Sequence, residues 1–435
     1  MIPLASQAIG YARSSGADEV EAYCITDRSV SINTKLEHIE YARESFARGI
    51  GIRAIVSGAV GFSSTNREDR IEEASLLAVR SARASQPDPD WNSLPHQGSY
   101  PAVHGVFDRK LAEIELSECV ELAADLIRGV TSAGAVPTSG GLAVSTGTGY
   151  IVNTNGIEHT EEGTSIAASI ECIVKDGSGI GTAYEFDISR NLDIDTYEIG
   201  KRAGELAKQS LHGGKIETAR TAVLFCPLAI ADILEYTFIP SLSADNVQKG
   251  RSMLSQVGAE VAAGELTICD DGLRTGGIGT AQTDDEGTPS QKTAIIEDGI
   301  LKNHLHDAYT AGKVDLVSTG NAQRSGYDTT PSIDVRNLVI EYPPSDIVAE
   351  MQNGVLVHSV IGAHTANQYS GDFSIEARNS FVIENGEVKQ PIKSLMIAGN
   401  IFDMLKNIDG AGADPRAVGG IVVPTLHVPD MQVIG

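Results

Sequence analysis

Hydrophobic and polar positions along this chain alternate between two periods. Residues 4–15 set Leu4, Ala8, Ile9 and Ala12 on one helical face, and Gly16 with Asp18 ends the helix before extended sequence begins. Between 19 and 62 the runs VEAYCIT, SVSINTKL, SFARGIGIRAIV and GAVGFSS are β-branched and partly alternating, with charged or glycine turns between them. Such a series predicts an antiparallel meander. A period near 3.6 returns over 69–84, where Ile71, Leu76, Val79 and Ala82 share a face. Acidic residues open that stretch and arginines close it, the polarity a helix dipole favours.

Four prolines and few periodic apolar residues make 85–107 a loop or linker. Helical patterning resumes over 111–130, glycine-rich strands follow over 142–184, and 197–211 forms another amphipathic helix closed by His212, Gly213 and Gly214. Beyond Thr221 the chain turns to short strands and dense glycine, interrupted chiefly by a helix over 227–238. This shift places a domain boundary near Gly213: residues 1–213 read as an α+β domain with an antiparallel sheet and helices, and 214–435 as a β-rich domain. No fixed-period repeat or low-complexity tract is present.

A chain of 435 residues that is 41% hydrophobic falls in the globular range, long enough for two or three domains and a large core. Its 33 basic and 58 acidic side chains leave a formal charge of -25, which repels a phosphate backbone and argues against nucleic-acid partners. No apolar run approaches the ~20 residues of a membrane span, and the first residues turn amphipathic too soon for a secretory signal. A cytoplasmic protein is expected. Cys24, Cys119, Cys172, Cys226 and Cys269 are scattered and never spaced as C-x-x-C, so neither a disulfide framework nor a cysteine zinc site is indicated.

A hydrolytic zinc site needs three ligands, an open position for water and a nearby carboxylate base. No His-Glu dipeptide occurs; His304 and His306 fit one strand face but lack a third ligand, and His358 and His364 flank SVIGA without completing a set. Nucleophile motifs such as G-x-S-x-G are absent, and GGIGTAQ at 276–282 is only half of a dinucleotide-binding pattern. More distinctive are the glycine-, asparagine- and acid-rich junctions at 270–293, 318–325, 362–374 and 397–409. The pairs beginning at Asp298, Asn353 and Asn385 predict tight hairpin turns, because Asp-Gly and Asn-Gly accept positive φ.

Several segments, taken together and in order, resemble the TldD/PmbA family: SADNVQKGRSMLSQVG, LTICDDG, TDDEGTPSQKTAIIEDGILKNHLHDAYTAGK, STGNAQR, SGDFSIEARNSFVIENGEVKQPIKSLMIAGN and VPTLHVPDMQVIG. The likeness covers the C-terminal half and, more loosely, the N-terminal half. It implies an N-terminal α+β domain, a barrel-like C-terminal domain that houses the site, and a dimer. In the family the TldD type carries an HExxxH helix and a later cysteine that bind zinc, whereas the PmbA or TldE type lacks them.

Counting back from Asp245, the HExxxH positions fall on Glu235, Tyr236 and Pro240, and no cysteine follows Cys269. Tyr236 cannot serve as the carboxylate base and Pro240 has no donor side chain. Pro240 also reads as the stop of the preceding helix. The resemblance therefore implies a PmbA-type subunit with no metal and no cofactor, inactive alone, partnered by a zinc-bearing TldD-type chain or by itself, and handling unfolded peptides. Asp284, Asp285, Glu286, Asn321, Arg324, His364 and Asp372 are the candidates for lining a peptide groove or an interface. A free-standing hydrolase, or a homodimeric binding or regulatory protein, stands as the alternative.

Overall fold

A computed structural model describes all 435 residues. Six strands, β1 (Glu19–Lys35), β2 (His38–Val56), β3 (Ala59–Thr65), β4 (Val136–Asn153), β5 (Glu158–Asp176) and β6 (Gly179–Ser189), make one antiparallel half-barrel sheet in the order β3-β2-β1-β4-β5-β6. The runs read separately at 20–26 and 29–36 are a single strand. Asp27 and Arg28 do not break β1 because it is central: Asp27 lies opposite Ala47 on one side and Gly147 on the other. Ladder pairing on both edges outweighs a local turn preference.

Alternation then decides what each face meets. On β1 the even positions Val20, Ala22, Cys24, Val30 and Ile32 are buried against helices. The Ile2–Ser14 and Ile71–Ala84 helices cover one end of that face through small residues such as Ala8, Ala12, Ala74 and Ala78. The Leu116–Ser132 and Thr196–Gln209 helices cover the other end. Helical patterning read as continuous over 111–130 is in fact two helices, Arg109–Ala112 and Leu116–Ser132. The second begins where the Glu118 carboxylate accepts the Glu115 N–H at 2.9 Å. Close helix-on-sheet packing needs Gly181, where a Cβ would lie 1.9 Å from the Ala207 carbonyl oxygen.

The C-terminal half closes on itself. Strand Ala219–Phe225 runs parallel to Asn353–Ile361, which pairs with Asp372–Glu384, then Leu395–Asn400, then Leu426–Ile434, and the last returns to Ala219–Phe225. This ring is a closed β-barrel, so none of its five members leaves both edges open. The Pro227–Thr237 helix packs Ile230, Ile233 and Leu234 into the same core as Phe225 and Phe238. A second sheet, containing Lys292–Glu297, Thr267–Asp271, Leu338–Glu341 and Ile421–Val423, holds the ends of the glycine- and acid-rich segments.

Two local expectations need correction. Helix 227–237 breaks at Phe238, but Pro240 does not end helical structure; it sits in the first turn of a new short helix, Ile239–Leu242. Proline is well placed there because first-turn N–H groups have no intrahelical acceptor. Asn385 and Asp298 do adopt positive φ, 53° and 50°, ahead of Gly386 and Gly299 in tight turns. Asn353 instead opens a barrel strand. No helix is long and apolar enough to cross a membrane.

Candidate functional site

The face of the N-terminal sheet turned away from its helices carries the odd-numbered side chains of β1, among them Glu21 and Tyr23, and these meet the segments 270–293 and 318–337. Arg53 lies at the centre. Its Nη2 donates to Glu21 Oε2 and to Glu286 Oε1, both at 2.7 Å, and all three side chains are buried. Arg324 pairs with the other oxygen of Glu21, and its backbone N–H donates to Asp285 Oδ2 at 2.7 Å. Tyr23 donates to Asp285 Oδ1 at 3.3 Å and lies under the Arg324 guanidinium.

Asp284 folds its own loop, accepting the N–H groups of Glu286 at 3.0 Å, Thr288 at 2.8 Å and Ala322 at 3.1 Å. Burial and the neighbouring Glu286 push its carboxyl well above the usual range. Asn321 donates to Asp270 Oδ2 at 2.6 Å, while Asp270 Oδ1 accepts the N–H groups of Arg336 and Asn337. Burial raises Asp270 to about 6 despite those bonds. Asp284, Asp285, Glu286, Asn321 and Arg324, named above as groove or interface candidates, are thus brought together at the seam between the two halves, with their polar atoms spent on one another and on backbone.

His364 and Asp372 lie apart from that seam. His364 belongs to a short turn, Ala363–Thr365, and packs edge-on against Tyr236 at 6.3 Å between ring centres. Asp372 is exposed, bonded to Asn400 Nδ2 at 2.8 Å and Ser370 Oγ at 2.7 Å, contacts that lower its pKa. Glu21, Tyr23 and Arg53, which complete the seam, carried no motif; the only signal available was the alternation that puts Glu21 and Tyr23 on one face. Residues 85–107 are tied down by the same region, since Trp91 Nε1 donates to Glu19 and Tyr309 Oη donates to Asp88.

Glu235 and Pro240 line a cleft of about 540 Å³ together with Asp245, Asp307, Tyr309 and Asp334. Partial desolvation, helped by Asp334 and Asp232, raises the Glu235 carboxyl. These donors do not fit a zinc ion. Asp245 pairs with Lys249 at 2.7 Å, and Asp307 Oδ1 caps a helix through Thr310 N at 2.8 Å and Oγ1 at 2.7 Å. Tyr236 is not among the walls of this cleft, its ring packing against His364 instead, and no three His, Cys, Asp or Glu side chains gather as a metal set. His304 Nε2 is spent on the Leu254 carbonyl at 2.6 Å, and burial with the adjacent His304 lowers the His306 pKa.

Comparison with known proteins now bears on this geometry. The family models for PmbA/TldA metallopeptidase domain 1, central domain and C-terminal domain match residues 20–85, 109–211 and 218–435. The chain belongs to this family. An uncharacterised protein of Methanocaldococcus jannaschii is 32% identical to this family member over 389 residues, 89% of this chain and 90% of that one. The metalloprotease PmbA of Escherichia coli O157:H7 is 25% identical over 442 residues, 97% of this chain and 93% of its own. Among solved structures, TldE from Thermococcus kodakarensis superposes with a TM-score of 0.91 at 26% identity, covering 99% of this chain and 100% of that one. The PmbA/TldA metallopeptidase fold and the TldE-like character expected from the sequence are thereby established.

Proposed function

We propose that this chain is the metal-free subunit of a PmbA/TldD-type peptidase complex, working beside a zinc-bearing relative that supplies the catalytic centre. One observation carries the reading: the helix that should present two histidines and a glutamate presents Glu235 and Tyr236, and Pro240 follows in a second turn. The likeness to TldE from Thermococcus kodakarensis supports it. In this role the chain contributes surface to a shared chamber that holds unfolded peptide, in the cytoplasm. Five free thiols are in keeping with a reducing compartment.

The test uses the full chain alone and co-expressed with a zinc-bearing TldD-type subunit. Elemental analysis should find no stoichiometric zinc in the isolated chain, size-exclusion should show a mixed dimer, and peptide cleavage should require both chains. Tightly held zinc with hydrolysis by this chain alone would overturn the proposal in favour of a free-standing hydrolase. A stable self-dimer that ignores the second chain would favour a binding or regulatory role.

A further inference from the structure

A second cavity, of about 260 Å³, opens on the face of the N-terminal sheet turned away from its helices, where residues 280–285 cross β4 and β5; Tyr23, His159, Glu161, Arg190, Thr283 and Asp285 are among its walls. Strand register explains why it exists. Gly149 lies opposite Glu161 and Gly147 opposite Gly163, so three neighbouring positions on one face have no side chain. At Gly163 a Cβ would come within 2.8 Å of Arg190 Nη1, so glycine lets the guanidinium lie flat on the sheet. At Gly149 the nearest atom to a Cβ would be Tyr23 Oη at 3.9 Å, an ordinary van der Waals contact, so a side chain can be added there without a clash at Cβ.

The polar groups around this gap are incompletely matched. Arg190 forms no ion pair; its N–H groups reach only carbonyl oxygens, of Gly277 at 3.3 Å, Thr164 at 3.4 Å and Thr280 at 3.1 Å. A largely desolvated guanidinium held by three long neutral contacts has no carboxylate in contact with it, and the Glu161 charge across the cavity offsets its burial only in part. The His159 side chain is only 10% exposed, its ring is fixed against Tyr100 at 4.5 Å, and its Nε2 has no hydrogen-bond partner. Glu161 spends Oε1 on the Gln282 N–H at 2.6 Å, and its Oε2 stands 3.6 Å from His159 Nε2.

We propose that this cavity binds a small zwitterion, a free amino acid or a dipeptide, whose carboxylate pairs with Arg190 and whose ammonium group is received by Glu161 Oε2 and His159 Nε2. Opposite charges in one small space select a molecule with both, since burying either alone leaves the other uncompensated. The volume falls just below the roughly 300–1,000 Å³ of drug-sized ligand sites, which excludes nucleotides and folded segments. The proposed ligand is a free small molecule rather than a peptide undergoing cleavage, so the site goes beyond the subunit role proposed above.

The experiment titrates the full chain with dialanine by calorimetry and thermal shift, with N-acetyl-dialanine, dialanine amide and inorganic phosphate as comparisons. Dialanine should bind saturably and raise the melting temperature. Blocking either end should weaken binding at least about tenfold, as loss of a charge-assisted hydrogen bond would. Arg190→Gln should do the same. Gly149→Val, which places its methyl groups in the gap and suits a strand, should abolish binding while the unliganded protein melts as before. Equal binding by Gly149→Val, indifference to blocked ends, phosphate binding in place of dialanine, or no binding at millimolar dialanine would each overturn the proposal.

Discussion

Arg53→Met should loosen the seam between the two halves and leave each half folded. Arg53, Glu21 and Glu286 have side chains only 7%, 1% and 2% exposed, so solvent screening does little to their pairing. Burial disfavours the Arg53 charge, but the two carboxylates outweigh it and raise its pKa. Removing one partner of such a buried group costs about 3–5 kcal/mol, because the remaining charge stays buried without compensation. Arg324 still faces Glu21, so the stranded charge is Glu286, left with the Ala308 N–H at 3.0 Å. A loss near the lower limit, about 3 kcal/mol, follows.

With urea slopes of about 1–3 kcal/mol/M, that loss moves the midpoint of the seam by about 1 M or more. Trp91 is the sole tryptophan, and the Arg53 guanidinium carbon lies 5.9 Å from its ring centre, so its emission reports this region directly. Far-UV dichroism should follow the barrel separately, since a chain with several cores need not unfold in one step. Arg53→Met/Glu286→Gln should recover much of the loss, because no uncompensated charge remains, and the cycle should show coupling of similar size. A Trp91 midpoint that moves by less than about 0.3 M in the single variant, or an additive double variant, would refute the reasoning.

Other expectations are as concrete. Asp270 has a folded pKa of about 6, above the ~3.9 of an unfolded aspartate, so its contribution to stability is full below about pH 4 and is lost as pH rises through about 6. Asp270→Asn should therefore flatten that part of the stability profile in urea titrations at pH 4, 5, 6 and 7, and an unchanged slope would remove Asp270 as its source. Gly181→Ala puts a methyl group 1.9 Å from the Ala207 carbonyl and should cost about 1–3 kcal/mol, read from the dichroism midpoint. Phe238→Ala empties a fully buried position in the barrel core and should cost about 3–5 kcal/mol by the same measurement.

Helix patterning was legible wherever one face is apolar and the other charged, as over 71–84 and 196–209. It misled where neighbours decide: Asp27-Arg28 reads as a turn but is held extended by strands on both sides, and Pro240 reads as a stop but opens a new turn. The acid-rich stretch at 284–286 was visible as unusual. Its partners were not, because Glu21 and Arg53 come from strands more than 200 positions earlier in the chain and belong to no local motif.

By itself the sequence determined the periodic faces, the family and the absence of the HExxxH side chains at 235, 236 and 240, since each is a property of residue type and spacing. Closure of the barrel, convergence of Arg53 with Glu286, and the cavity over Gly147, Gly149 and Gly163 were decided only in three dimensions. Those features depend on which strands become neighbours and in what register, and a shift of one residue would turn every one of these side chains to the opposite face.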